Sequence, residues 1–248
     1  MNTKVDQLYH FHIHKTGGVW LITNILAELG EDMRPHLERT LTAGHIKGVN
    51  IVTPIDLCKD DYIVSTFRDP VKRTVSHFAW TLIDIDVFYK DPFNKGLGVY
   101  TEATVDNLME WVELRKDFIS NYQSKMLSYP MVHKRYGLGY DDELFSNFIP
   151  NKQETLNKIK HVNLLLRTEQ GIEKNKEDLK NIIWDQFNIP SDKRISIKNK
   201  DAESHANKAS LDLYSLLSDK QKEKIASIND IDMEIYETNS LFWKNGEI

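Results

Sequence analysis

Tyr9-His10-Phe11-His12-Ile13-His14-Lys15-Thr16-Gly17-Gly18 reads as a buried strand that runs into an anion-binding turn. Phe11 and Ile13 alternate with histidines at the two-residue period of a strand, and the paired glycines permit a tight turn. Val19 to Leu29 then carry apolar residues at helical spacing. A helix that opens straight after a glycine turn directs its unpaired N–H groups and the positive end of its dipole into that turn. Phosphate or sulfate is stabilised there. Lys15 adds a mobile cation.

The order of residues differs from the Walker A pattern, in which the lysine follows the second glycine; here Lys15 precedes both. A standard P-loop kinase is therefore disfavoured. Working outward, the bulk properties narrow the class further. The chain has 248 residues, 40% of them hydrophobic, enough for a substantial core, and it reads as a single domain over residues 1–248. A net charge of −5 argues against a general nucleic-acid binder. One cysteine, Cys58, excludes an intramolecular disulfide framework and suits a reducing compartment. No run approaches the roughly 18 to 20 apolar residues of a membrane span, and Met1 to Gln7 lacks a signal-peptide core. The expectation is a soluble, cytoplasmic protein.

Beyond the first helix, Gly30 to His36 is polar and a loop follows, carrying Ala43-Gly44-His45-Ile46-Lys47-Gly48. Asp61 to Phe67 is a short apolar, β-branched run that reads as a buried parallel strand. It ends at Arg68-Asp69-Pro70, where Asp69 is placed to cap a helix from Pro70 to Ile85. Arg68 then lies at the C-terminal end of a strand, where ligands bind in open α/β sheets. Residues 104–116 return to helical spacing, 131–150 read as a variable loop, and 151–160 as a helix. His161 to Leu166 is a further buried strand, and 202–217 and 218–239 are two helices, the second opened by a Ser218 cap with Gln221.

Two segments together are similar to the carbohydrate sulfotransferases related to heparan sulfate 2-O-sulfotransferase. Lys15-Thr16-Gly17-Gly18, preceded by His12, resembles that family's H-I-P-K-T-G-G-T-S stretch, with His14, Val19 and Trp20 in place of its proline, threonine and serine. Thr66 to Phe78 resembles its F-R-D-P-x-x-R-x-x-S-x-Y pattern. The resemblance implies an α/β fold of P-loop-like three-layer type, with a central parallel sheet and added C-terminal helices. It implies 3′-phosphoadenylyl sulfate (PAPS) as donor, with PAP as product. Lys15, Thr16, Gly17, Gly18, Val19 and Trp20 would hold the 5′-phosphosulfate, and Arg68 and Ser76 the 3′-phosphate. His45, in its Gly-His pair, would be the catalytic base beside Lys15 and would touch the acceptor. Phe118 to Ser128 resembles a D-N-x-Q-T-R-x-L-S-G segment, in which Gln123 and Lys125 would face donor or acceptor; a polar helix face is the other reading. Lys198 and Lys200 occupy the position of a segment that closes over the nucleotide, although a solvated charge run is the usual meaning of such a stretch.

The implied reaction moves a sulfuryl group to a hydroxyl acceptor, with a saccharide or glycoconjugate as the family expectation, and requires no metal. A zinc site at His10, His12 and His14 is disfavoured because alternate strand residues lie about 7 Å apart, too widely for tetrahedral coordination. A kinase or other phosphotransferase would need Mg²⁺ carboxylates and a Walker-type loop, and neither stands at the expected place. A non-catalytic PAP-binding relative is the remaining alternative, supported by Val19 and Trp20.

Overall fold

The computed structural model describes residues 8–13, 16, 39–42, 51–52, 62–83, 100, 102–129, 131–134, 137–139, 142–168, 181–182, 184–185, 205–238 and 242–244. These form a mixed α/β structure. Strands β1 (Leu8–His12), β2 (Arg39–Thr42), β4 (Tyr62–Phe67), β7 (Leu164–Arg167) and β8 (Phe242–Lys244) make a five-stranded sheet in the order β2-β1-β4-β7-β8. The first four run parallel, and β8 closes one edge antiparallel. Register is set by pairs such as Phe11↔Ser65 and Phe67↔Arg167. Every residue of β4 and β7 is buried, so both faces of these strands are covered. That accounts for their near-continuous apolar sequences. His10 is buried within the sheet as well.

Strand β4 ends at Phe67 and the following helix starts at Pro70, as the sequence led us to expect; Asp61 and residues 84–85 of those expectations lie outside the described residues. Helix α1 is Pro70–Ile83. Its start is local: Lys72 N–H donates to Asp69 Oδ1 at 2.9 Å, and proline at the first position has no N–H to leave unpaired. Helix α2 (Val105–Leu114) is capped by Thr104, whose side chain accepts from Asn107 N–H. Short helices α3 (Lys116–Ile119) and α4 (Tyr122–Ser128) follow. Between them Asn121 takes a left-handed conformation, φ 45°, which asparagine tolerates better than most residues. Helix α6 (Lys152–Ile159) is capped by Asn151.

Three expectations are corrected. Residues 131–150, expected as loop, contain β5 (Met131–Lys134), β6 (Gly137–Gly139) and helix α5 (Asp142–Asn147). There β5 pairs antiparallel with β6 and with β3 (Ile51–Val52), so partners outside the segment hold it in a sheet that its own glycines disfavour. The strand expected from His161 begins at Leu164, because His161 and Val162 donate backwards to Lys158 and Ile159 carbonyls in a turn. The two C-terminal helices are three: α7 (His205–Leu216), α8 (Asp219–Ser227) and α9 (Asp230–Thr238). The Ser218–Gln221 capping box opens α8 as expected. The break after it comes from Asn229, whose side chain turns back to the Ile225 carbonyl at 2.9 Å.

Two apolar clusters join the layers. Phe11, Ile63 and Phe67 of the sheet pack with Tyr122, Met126 and Ile159 from α4 and α6 and with Ile235 from α9. Val75 and Phe78 of α1 pack with Trp111 of α2, Leu213 of α7 and Ile225 of α8. Among the described residues no helix is long and apolar enough to cross a membrane.

Candidate functional site

The strand order has a consequence for where a ligand can sit. Counted along the sheet, β1 connects forward to β2 on one side, while β4 lies on its other side and continues to β7. The connections therefore diverge between β1 and β4, and the crevice at the C-terminal ends of these two strands is a topological switch point. Ile13 and Thr16 follow β1 at that end, and Arg68 and Asp69 follow β4.

Three threonines tie the ends together. Thr16 is fully buried, and its hydroxyl donates to the Ile13 carbonyl at 2.7 Å. That spends its one proton, so in the 2.8 Å contact between the Thr16 and Thr66 hydroxyls Thr66 is the donor. Thr168, just past β7, donates to the Thr16 carbonyl at 2.6 Å and lies 3.1 Å from the Phe67 carbonyl. Its backbone N–H also reaches the Phe67 carbonyl at 3.0 Å. Thr16 and the strand leading to Arg68 thus share one hydroxyl.

Arg68 is half-buried and its backbone is held by a side chain from another element. Its N–H donates to Gln123 Oε1 at 2.9 Å, and Gln123 Nε2 donates to its carbonyl at 2.8 Å. Gln123, expected to face donor or acceptor, is fully buried with both ends of its amide on the Arg68 backbone. Lys125 is likewise buried, and its ammonium donates to the Ser146 carbonyl at 2.9 Å and to the Asp117 carbonyl. Burial lowers its pKa to about 8, against the opposing pull of Asp117 and Asp232. For both residues the geometry is that of a structural tie. Ser76 is buried on α1, two turns beyond Arg68.

Behind Gln123 is a buried polar knot that sequence reading missed. Asp232, on α9, accepts from Gln123 N–H at 2.9 Å, from Ser124 N–H at 2.8 Å and from the Ser124 hydroxyl. It caps α4 in place of a preceding residue. Burial raises its pKa; the bonds from Ser124 and Gln123 and the nearby charge of Arg73 oppose that rise. In return Asn121 Oδ1 accepts from the N–H groups of Ile231 and Asp232, capping α9, while Asn121 N–H donates to Asn229 Oδ1. Arg73 is buried beside the knot, its guanidinium 3.5 Å from the centre of the Tyr122 ring. It donates to His77 Nδ1 at 3.0 Å, which requires that nitrogen to be unprotonated. The one local clue was Asn229-Asp230-Ile231-Asp232, a capping signature inside an apparently continuous helical pattern.

The structure therefore brings Thr16, Arg68 and Gln123 to one end of the sheet. Lys15, Gly17, Gly18, Val19, Trp20, His45, Lys198 and Lys200 lie outside the described residues, as does the helix expected at 19–29. Among the described residues no group of three or more His, Cys, Asp or Glu side chains could hold a metal ion. No model of a known protein family matches the chain, and no curated protein matches it significantly.

Proposed function

We propose that the protein is a sulfotransferase that takes its sulfuryl group from PAPS and delivers it to a hydroxyl, with a carbohydrate or glycoconjugate as the acceptor class. The observation that carries this reading is the Thr168 hydroxyl, which lies within bonding distance of the carbonyls of both Thr16 and Phe67. Two segments that resemble the 5′- and 3′-phosphate motifs of one family thereby meet at adjacent strand ends, at a switch point suited to a nucleotide. The sulfotransferase version of a three-layer α/β fold is part of the same proposal.

The donor supplies an activated sulfuryl group; the acceptor oxygen bonds to sulfur as the bond from sulfur to the phosphate oxygen of PAP breaks. The residues of this chain position and neutralise. Arg68, whose planar fork can donate two bonds to one phosphate, and Ser76 hold the 3′-phosphate. Backbone N–H groups at Thr16, Gly17, Gly18, Val19 and Trp20 hold the 5′-phosphate at a helix N-terminus, the Thr16 hydroxyl being committed to Ile13. Lys15 offsets charge that develops at sulfate, His45 accepts the acceptor's proton, and Lys198 and Lys200 close over the nucleotide. With these cations in place the scheme uses no divalent metal.

Calorimetric titration with PAP, and separately with ATP plus Mg²⁺, tests the reading. PAP binding that is stronger than ATP binding, metal-independent and weakened at least about tenfold by Arg68→Ala is the expected result. Preference for ATP with Mg²⁺ would return the protein to phosphotransfer, and absence of PAP binding would end the sulfotransferase reading.

A further inference from the structure

We infer that Gln123, locked in place by Asp232, is a positioning residue that sets the direction of the Arg68 side chain at the donor's 3′-phosphate. The inference rests on the PAPS reading above and adds a residue that acts on the donor only through another. Arg68 lies one residue past Phe67, whose pairing with Arg167 is the last in the register between β4 and β7. At this position the Gln123 amide takes the place of a neighbouring strand, accepting from the Arg68 N–H and donating to its carbonyl. A two-point hold on one residue's backbone fixes where its Cβ points. A small error there moves a long arginine by an ångström or more, which costs binding and rate.

The hold is itself braced. Gln123 has no solvent exposure, and its own N–H is bonded to Asp232 Oδ2 at 2.9 Å while Ser124 N–H is bonded to Oδ1 at 2.8 Å. The opening of α4 therefore cannot shift without breaking bonds to α9. A glutamine suits this role because it offers one acceptor and one donor in a plane, matching the N–H and carbonyl of a single residue. Leucine offers neither, and an ionised glutamate offers only acceptors, one of which would face the Arg68 carbonyl.

The test is PAP affinity of wild type, Gln123→Leu and Gln123→Glu across about pH 8 to about pH 5, each variant compared with wild type at the same pH. Gln123→Leu is expected to weaken PAP binding about tenfold at every pH. Gln123→Glu is expected to weaken it similarly at the alkaline end and to recover on acidification, because a protonated carboxyl regains the donor to the Arg68 carbonyl. Burial brings that protonation within reach by raising the carboxyl's pKa. A residue that served folding alone would lower thermal stability and leave the affinity of the folded fraction unchanged. Should Gln123→Leu not fold, the pH-dependent recovery of Gln123→Glu decides by itself. Variants that bind PAP within about twofold of wild type, or a Gln123→Glu deficit that does not shrink on acidification, would overturn the inference and leave the PAPS reading standing. Wild type that fails to bind PAP would overturn both.

Discussion

Helices α1 and α4 begin within one hydrogen bond of the same residue, Arg68, yet they are started by opposite means. For α1 the capping carboxylate is Asp69, three residues before the N–H it accepts from. For α4 it is Asp232, which accepts from an N–H 109 residues away in the chain. The first carboxylate is half-buried; the second is fully buried and answers the positive end of a helix and the charge of Arg73 at once. A local cap is cheap to form and modest in effect. A distant one must bring two helices together first, and once formed it supports both.

The same substitution at the two sites measures this difference. Asp232→Ala leaves the N–H groups of Gln123 and Ser124 and the Ser124 hydroxyl without their acceptor and removes a carboxylate near buried Arg73. The expected loss is about 3–5 kcal/mol, read as a lower urea midpoint in equilibrium unfolding. A loss below about 1 kcal/mol would show that water replaces the carboxylate and that α4 and α9 are not mutually dependent.

Lys125 sharpens the comparison from the far end of the α4 region, where its ammonium is tied to carbonyls of α3 and α5. Its pKa falls from 10.5 in the unfolded chain to about 8 in the folded one, so between these values the unfolded state binds more protons. Stability attributable to Lys125 therefore rises as pH goes from about 8 to about 10.5. The stability difference between wild type and Lys125→Met, in which other titrations such as that of Tyr62 cancel, is expected to move in favour of wild type by about 2 kcal/mol over this range. A flat difference would mean that the ammonium is as well solvated in place as in water.

The smallest effect belongs to the local cap. Asp69→Ala is expected to cost about 1 kcal/mol, with the loss visible in thermal unfolding and amide exchange concentrated in the first turn of α1. If it equalled the Asp232→Ala loss, Asp69 would have a role beyond the Lys72 N–H.

How much of this was legible follows the same division. The end of β4, the Asp69-Pro70 start of α1 and the Ser218–Gln221 box were read from neighbours within three or four residues, whereas the caps made by Thr104 and Asn151 came only with the structure. Gln123 and Lys125 stood out by residue type and resemblance, but not by what they touch. Nothing within a few positions of Gln123 says that its amide meets residue 68, and nothing near Asn121 names Asn229 and Asp232. The β5–β6 pair was missed for a related reason, since its glycines and charged residues carry weak strand preference until β3 supplies an edge to pair with.

The sequence by itself determined the elements whose causes are short-range: buried strands from continuous apolar runs, helices from spacing, and helix starts from adjacent oxygen-bearing side chains. It also carried the two motif segments on which the functional proposal rests. Only the tertiary structure decided strand order, and with it the crevice between β1 and β4; only it joined Thr16 to Phe67 through Thr168, and Arg68 to Gln123. The physical reason is that a hydrogen-bonding side chain specifies what kind of partner it needs but not which one. Strand order and helix packing bring that partner within 3 Å.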